Sequence, residues 1–86
     1  MIHARPDYAR IQDPAGKIGE DEPVMLFRAQ DKYFLDVLAC YAKLLFSDPD
    51  ARPDILCAVH DQIERGKAWQ DQHGCKTPDL PSGPRP

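Results

Sequence analysis

The chain contains few of the residues from which small proteins build catalytic centres. Its 86 residues include two serines, three histidines and three cysteines. Ser47 lies at the end of a predicted helix and Ser82 lies in a proline-rich segment, so neither has the strand–turn–helix setting of a serine nucleophile. The odd, scattered set of Cys40, Cys57 and Cys75 does not form a disulfide framework. The composition therefore predicts a protein that is not an enzyme and has no cofactor.

Two short pairs, Cys57-x-x-His60 and His73-x-Cys75, resemble halves of a zinc site. We expect both histidines on one helix, where the helical rise separates them by roughly 20 Å. Zinc ligands must all lie within about 2.3 Å of the ion, so we predict no metal site. Cys40 and Cys57 are expected to be small buried hydrophobic residues, and Cys75 an exposed thiol.

The chain also lacks a strong charge of one sign and a long hydrophobic run. Its net charge is −3, from 11 basic and 14 acidic residues, whereas proteins that bind phosphate backbones need a basic face. The longest apolar run, residues 37–42, is far shorter than the roughly 20 residues that span a bilayer. Polar residues follow the first six, so no signal peptide is expected. We predict no binding to nucleic acid or membrane, and a cytoplasmic location.

Residues 31–47 have the pattern of a highly apolar helix, with Asp31 as its N-cap. A helix with so many apolar positions needs cover on more than one side. One partner helix cannot supply that cover, so we expect the N-terminal segment or another subunit to contribute. A chain of this size also has a thin core, which favours a homodimer or larger assembly. The apolar positions are Phe34, Leu35, Val37, Leu38, Tyr41, Ala42, Leu44, Leu45 and Phe46.

A second helix is predicted from Pro53, at its first position, to about His73, with Gly74 just beyond its end. Proline and acidic residues between the helices indicate a turn. The apolar row of this helix includes Gly66, which either allows close approach of the first helix or marks a kink. The other members of that row are Leu56, Val59 and Ile63.

The N-terminal residues 1–20 are predicted to be irregular. Asp13–Gly16 fits a type I turn that could join extended pieces at residues 8–12 and 17–19. The apolar run in residues 24–28 is compatible with a short buried strand or with a helical turn capped by Asp21, and the strand is favoured. Residues 75–86 contain four of the nine prolines, which predicts a flexible tail.

The predicted fold class is mainly α. It is a helical hairpin of two amphipathic helices with an N-terminal extended segment or short strand and a disordered proline-rich C-terminal tail. The boundaries are residues 1–20 for the N-terminal segment, 21–74 for the helical domain and 75–86 for the tail.

An unusual polar group stands between the apolar run and the first helix. Arg28 and Gln30 could hold a carboxylate, a phosphate or a partner's backbone. The structural alternative, which is favoured, makes Asp31 a helix cap and pairs Arg28 with Asp31 or Glu22. Trp69 is the other outlier, and it either packs on the N-terminal segment or anchors an interface.

Residues 19–32, Gly-Glu-Asp-Glu-Pro-Val-Met-Leu-Phe-Arg-Ala-Gln-Asp-Lys, resemble the opening of a family of small uncharacterised proteins from phages, prophages and bacteria. In that family a helical region follows and ends near a tryptophan, as at Trp69. The resemblance covers residues 19–70. It implies a phage-derived protein of the host cytoplasm, of the kind that inhibits a host defence protein or sequesters signalling nucleotides.

The predicted function is thus a non-enzymatic protein-interaction module, an inhibitor of a host protein that also associates with itself. The alternative is an oligomeric binder of a small anionic ligand such as a signalling nucleotide, using Arg28, Gln30, Lys32 and Tyr33 at a subunit junction. The candidate binding residues are Glu22, Arg28, Gln30, Asp31, Lys32, Tyr33 and Trp69.

Overall fold

The computed structural model describes residues 1–3 and 13–79. They belong to two compact units, one that contains residues 1–3, 13–27 and 79 and one of residues 28–78. The first contains strands β1 (Ile2–His3) and β2 (Pro23–Val24), and the second contains helices α1 (Phe34–Ser47) and α2 (Pro53–His73). The mainly α helical hairpin predicted from the sequence is confirmed.

In the first unit, β1 and β2 pair in parallel, with Ile2 opposite Pro23 and His3 opposite Val24. The N-terminal amine donates to the carbonyl of Gly19. Of residues 24–28, where a strand is expected, only Val24 belongs to β2. The buried character expected for this run is also wrong, since Met25 and Leu26 are exposed.

The turn predicted at Asp13–Gly16 is confirmed, because the Gly16 amide donates to the Asp13 carbonyl at 3.0 Å. The amides of Lys17 and Ile18 donate to the Asp13 carboxylate at 3.1 and 3.0 Å. Those bonds leave residues 17–19 outside any strand, contrary to the expected hairpin. Its other half, residues 8–12, lies outside the described residues.

Helix α2 has the bounds that the proline and the glycine at its ends predict. It begins at Pro53, whose missing N–H costs nothing in the first turn. It ends before Gly74, whose φ of 76° is easily reached by glycine, and the Gly74 amide donates to the Gln70 carbonyl at 2.7 Å.

Helix α1 begins at Phe34, three residues later than expected, and Asp31 is not its N-cap. The Asp31 carboxylate accepts the Tyr33 amide at 2.8 Å, and its carbonyl accepts the Phe34 amide at 3.0 Å. The aspartate therefore forms a tight turn with its own neighbours, which is a local arrangement that competes with helix capping.

The two helices run antiparallel and share a small core. Phe34, at the start of α1, and Ala42 are each only 6% exposed. Gly66 of α2 is buried, and a Cβ placed on it would lie 2.6 Å from Cε2 of Phe34. The close approach expected at this glycine is confirmed, and α2 continues through it without a break.

Cys40 and Cys57 are exposed, which corrects the expectation that they are buried. Helix α2 covers one side of α1, and Cys40 lies on another side. Cys57 lies on the outer side of α2. Cys75 is exposed, as predicted. In the part of the chain that the structure describes, no helix is both long enough and apolar enough to cross a membrane.

Candidate functional site

The segment that precedes α1, residues 28–33, is tied to the C-terminal end of α2 by a glutamine. The Gln70 side-chain amide donates to the Ala29 carbonyl at 2.8 Å and to the Asp31 carbonyl at 3.3 Å. Gln70 is half-buried. One side chain thus satisfies two main-chain acceptors in a segment that has no regular structure of its own.

The same segment also pairs with the chain beyond α2. The Lys76 amide donates to the Gln30 carbonyl at 2.7 Å, and the Lys32 amide donates to the Lys76 carbonyl at 2.9 Å. They form an isolated parallel bridge between Asp31 and Lys76. Residues 75–78 therefore belong to the hairpin unit, while residues 80–86 of the predicted tail lie outside the described residues.

Among the candidate residues, Gln30 and Asp31 have structural roles through their main chains. Lys32 and Tyr33 instead present exposed side chains, with the Lys32 ammonium 5.1 Å from the centre of the Tyr33 ring. A cation over an exposed ring gains about 0.5–1 kcal/mol. The side chain of Arg28 is exposed, and its proposed ion pair with Asp31 or Glu22 stays a prediction.

Trp69 lies on α2 immediately before Gln70, so it shares one end of the hairpin with residues 28–33. Its ring stacks on His73, with 4.5 Å between the ring centroids and 30° between their planes. It remains 37% exposed. Glu22 belongs to the first unit, where its side chain is exposed and its amide donates to the Gly19 carbonyl at 3.1 Å.

The structure also shows a surface that the sequence did not single out, an open groove of about 490 Å³ between the two helices. We call it the Phe46 groove. Phe46 of α1 stands at the edge of this groove and is 81% exposed. On the opposite wall, which α2 forms, the Lys67 ammonium lies 3.3 Å from the Glu64 carboxylate. The remaining residues that line it are Ala39, Ala42, Lys43, His60 and Ile63.

A second open groove, of about 430 Å³, lies between Leu38 and Tyr41 of α1 and Ile55 and Val59 of α2. Tyr41 and Ile55 are both close to half exposed. The hairpin therefore presents apolar surface along both lines where its helices meet.

Two of these features had a usable signal in the sequence. Gln70 continues the row Val59, Ile63, Gly66 at helical spacing, so a polar residue occupies a position that faces α1. Its spacing places Phe46 on the apolar surface of α1. Periodicity does not show which side of that surface α2 covers. The pairing of Lys76 with Gln30 and Lys32 joins residues far apart in sequence, and no local sequence pattern predicts it.

Within residues 1–3 and 13–79, no group of three or more histidine, cysteine, aspartate or glutamate side chains is placed to hold a metal ion. Compared with protein-family models, curated proteins and solved structures, the chain matches none of them.

Proposed function

We propose that this chain is a non-enzymatic protein-interaction module whose partner docks in the Phe46 groove. The observation that carries the proposal is the exposure of Phe46. A ring that is 81% exposed beside an apolar groove contributes little to packing within this hairpin. Aromatic side chains that become buried on association are typical anchors of protein interfaces.

The groove has the form that receives an amphipathic helix. Its lining includes Ala39, Ala42 and Ile63, which are small or aliphatic. Lys43 and Lys67 stand on opposite walls, and Glu64 supplies one negative charge beside Lys67. The rim is therefore positive by about one charge, which favours a helix with an apolar row and acidic flanks.

The resemblance of residues 19–32 to phage proteins supports a host protein as the partner and inhibition as the outcome. An inhibitor of this size acts by occupying a surface that the host protein needs.

Two synthetic amphipathic peptides with the same leucine row test the groove, one flanked by glutamates and one by lysines. We expect the acidic peptide to bind in fluorescence anisotropy and Phe46→Ala to weaken binding by at least about tenfold. Leu44→Ala is the matched control, because Leu44 is exposed on the same helix but does not line the groove. Equal binding of both peptides, or full affinity in Phe46→Ala, contradicts the proposal.

Binding of a signalling nucleotide is a second candidate, supported by the exposed Lys32–Tyr33 pair. The lysine ammonium can pair with a phosphate, and the tyrosine ring can stack on a base. A ligand at 100 times its Kd stabilises a protein by about 2.7 kcal/mol, so a thermal shift with cyclic nucleotides would detect it. The shift should disappear in Lys32→Ala, and no shift in the unmodified chain argues against this function.

A further inference from the structure

Helix α1 has a second apolar face that α2 does not cover. We call it the outer face, and it consists of Val37, Cys40, Tyr41 and Leu44. Their spacing of three and four residues places them on one side of the helix, about a third of a turn from the core residues. Leu44 is 65% exposed, Tyr41 and Cys40 are also exposed, and Val37 is half-buried.

The outer face contains no charged residue, and α1 has only two, Asp36 and Lys43. These two are seven residues apart and therefore lie on one line along the helix, at one edge of the outer face. Asp36 precedes Cys40 by four residues and Lys43 follows it by three. Opposite charges thus stand at nearly equal distances on either side of Cys40.

We propose that a second copy of this chain covers the outer face, with the two α1 helices antiparallel and the two-fold axis at Cys40. This arrangement places Val37 of one copy against Leu44 of the second copy. It also places each Asp36 beside Lys43 of the second copy, because antiparallel helices bring the same edge of both faces together. Charges at such flanking positions set partner and orientation.

The charge pattern favours this occupant and this orientation. In a parallel pair, the Asp36–Lys43 edges would lie on opposite sides of the interface, and neither charge would meet its complement. Helix α2 lies on a different side of α1, so pairing through the outer faces leaves α2 in place and produces a four-helix bundle with both α1 helices at its centre.

The strength of the dimer follows from its size. One helical face buries less than the roughly 800 Å² per partner of a standard interface. We therefore expect a weak association, with Kd in the micromolar range. The outer face and the Phe46 groove are on different sides of α1, and Lys43 lies at the edge that they share.

Single-cysteine variants test the position of the axis directly, because all three cysteines are exposed. The variant that keeps only Cys40 (Cys57→Ser with Cys75→Ser) should form covalent dimers with a short bis-maleimide at high micromolar protein concentration. The variant that keeps only Cys57 (Cys40→Ser with Cys75→Ser) is the matched control and should remain largely monomeric. Equal cross-linking of both variants, or none at Cys40, overturns the proposal.

Substitutions test the face and the orientation in light scattering and sedimentation. Leu44→Glu should weaken dimerisation at least about tenfold, whereas Gln72→Glu, an equal charge change on an exposed residue of α2, should not. Asp36→Lys should weaken it about threefold to tenfold, and Asp36→Lys with Lys43→Asp should restore it.

A dimer that is unaffected by Leu44→Glu overturns the second copy as the occupant of this face, as does a monomer at all concentrations. A dimer that is sensitive to Leu44→Glu but not rescued by the double charge exchange overturns the antiparallel arrangement. Circular dichroism of each variant confirms that the helices are retained. Peptide binding in the Phe46 groove should persist in Leu44→Glu, and the dimer should persist in Phe46→Ala, so the two proposals can fail independently.

Discussion

Replacing Gly66 by alanine should destabilise the hairpin, although the same change stabilises an ordinary helix. Alanine in a helix interior is favoured over glycine by about 1 kcal/mol. At this position the new Cβ would lie 2.6 and 3.0 Å from two ring carbons of Phe34 and 3.1 Å from Cδ2 of Leu35. Phe34 is one of the two best-buried hydrophobic residues of the described chain, so its ring has little room to turn away from a new methyl group.

Overpacking of this kind costs about 1–3 kcal/mol, which exceeds the gain in helix propensity. We therefore expect Gly66→Ala to lower the free energy of unfolding by about 1 kcal/mol and the Tm by about 4–8 °C. The assay is thermal and urea denaturation followed by circular dichroism at 222 nm.

Ala68→Gly is the matched control, because Ala68 is exposed on the same helix and reports the glycine penalty without a clash. It should destabilise the chain by about 1 kcal/mol. Phe34→Leu should partly relieve the clash, so its effect and that of Gly66→Ala should be less than additive. A Gly66→Ala protein more stable than the unmodified chain by about 1 kcal/mol would refute the close approach.

Three further substitutions separate the roles of individual side chains. Gln70→Ala should cost about 1 kcal/mol and increase amide exchange in residues 29–33, whereas Gln72→Ala should do neither. Asp31→Ala removes the acceptor of the Tyr33 amide and should cost about 0.5–1 kcal/mol, and an unchanged urea midpoint would contradict that role. Phe46→Ala should change stability by less than about 0.5 kcal/mol, because its side chain is mostly in solvent, and a loss above 2 kcal/mol would show that Phe46 belongs to the core.

The bounds of a helix could be predicted where a proline or a glycine marks its end. Pro53 and Gly74 bound α2 because a missing amide and a positive φ each suit one end of a helix. A glycine on the apolar row of α2 indicates close approach of α1 or a kink, and the structure shows the close approach at Gly66. In each case the information lay within one or two helical turns.

The sequence was less informative where a polar residue had two local options. Asp31 is a good N-cap by type, yet its carboxylate binds the amide two residues on, and α1 begins only at Phe34. The choice depends on the pairing of the same segment with Gln70 and Lys76. Contacts between residues about 40 positions apart are not encoded in local periodicity, so this part of the candidate site could not be derived.

The exposure of Cys40 and Phe46 shows a related limit of prediction from the sequence. Periodicity identified α1 as apolar around most of its circumference, and α2 covers only part of that surface. It could not tell which positions α2 would cover. That choice places Phe46 beside one groove and leaves Leu44 on the outer face.

The Phe46 groove, as a binding surface for an acidic amphipathic helix, is central to the proposed function. The most direct measurement is an anisotropy titration of the acidic and basic peptides against the unmodified chain and Phe46→Ala. We predict micromolar binding of the acidic peptide to the unmodified chain, at least about tenfold weaker binding to Phe46→Ala, and little binding of the basic peptide. Identical affinities across these titrations would contradict the account.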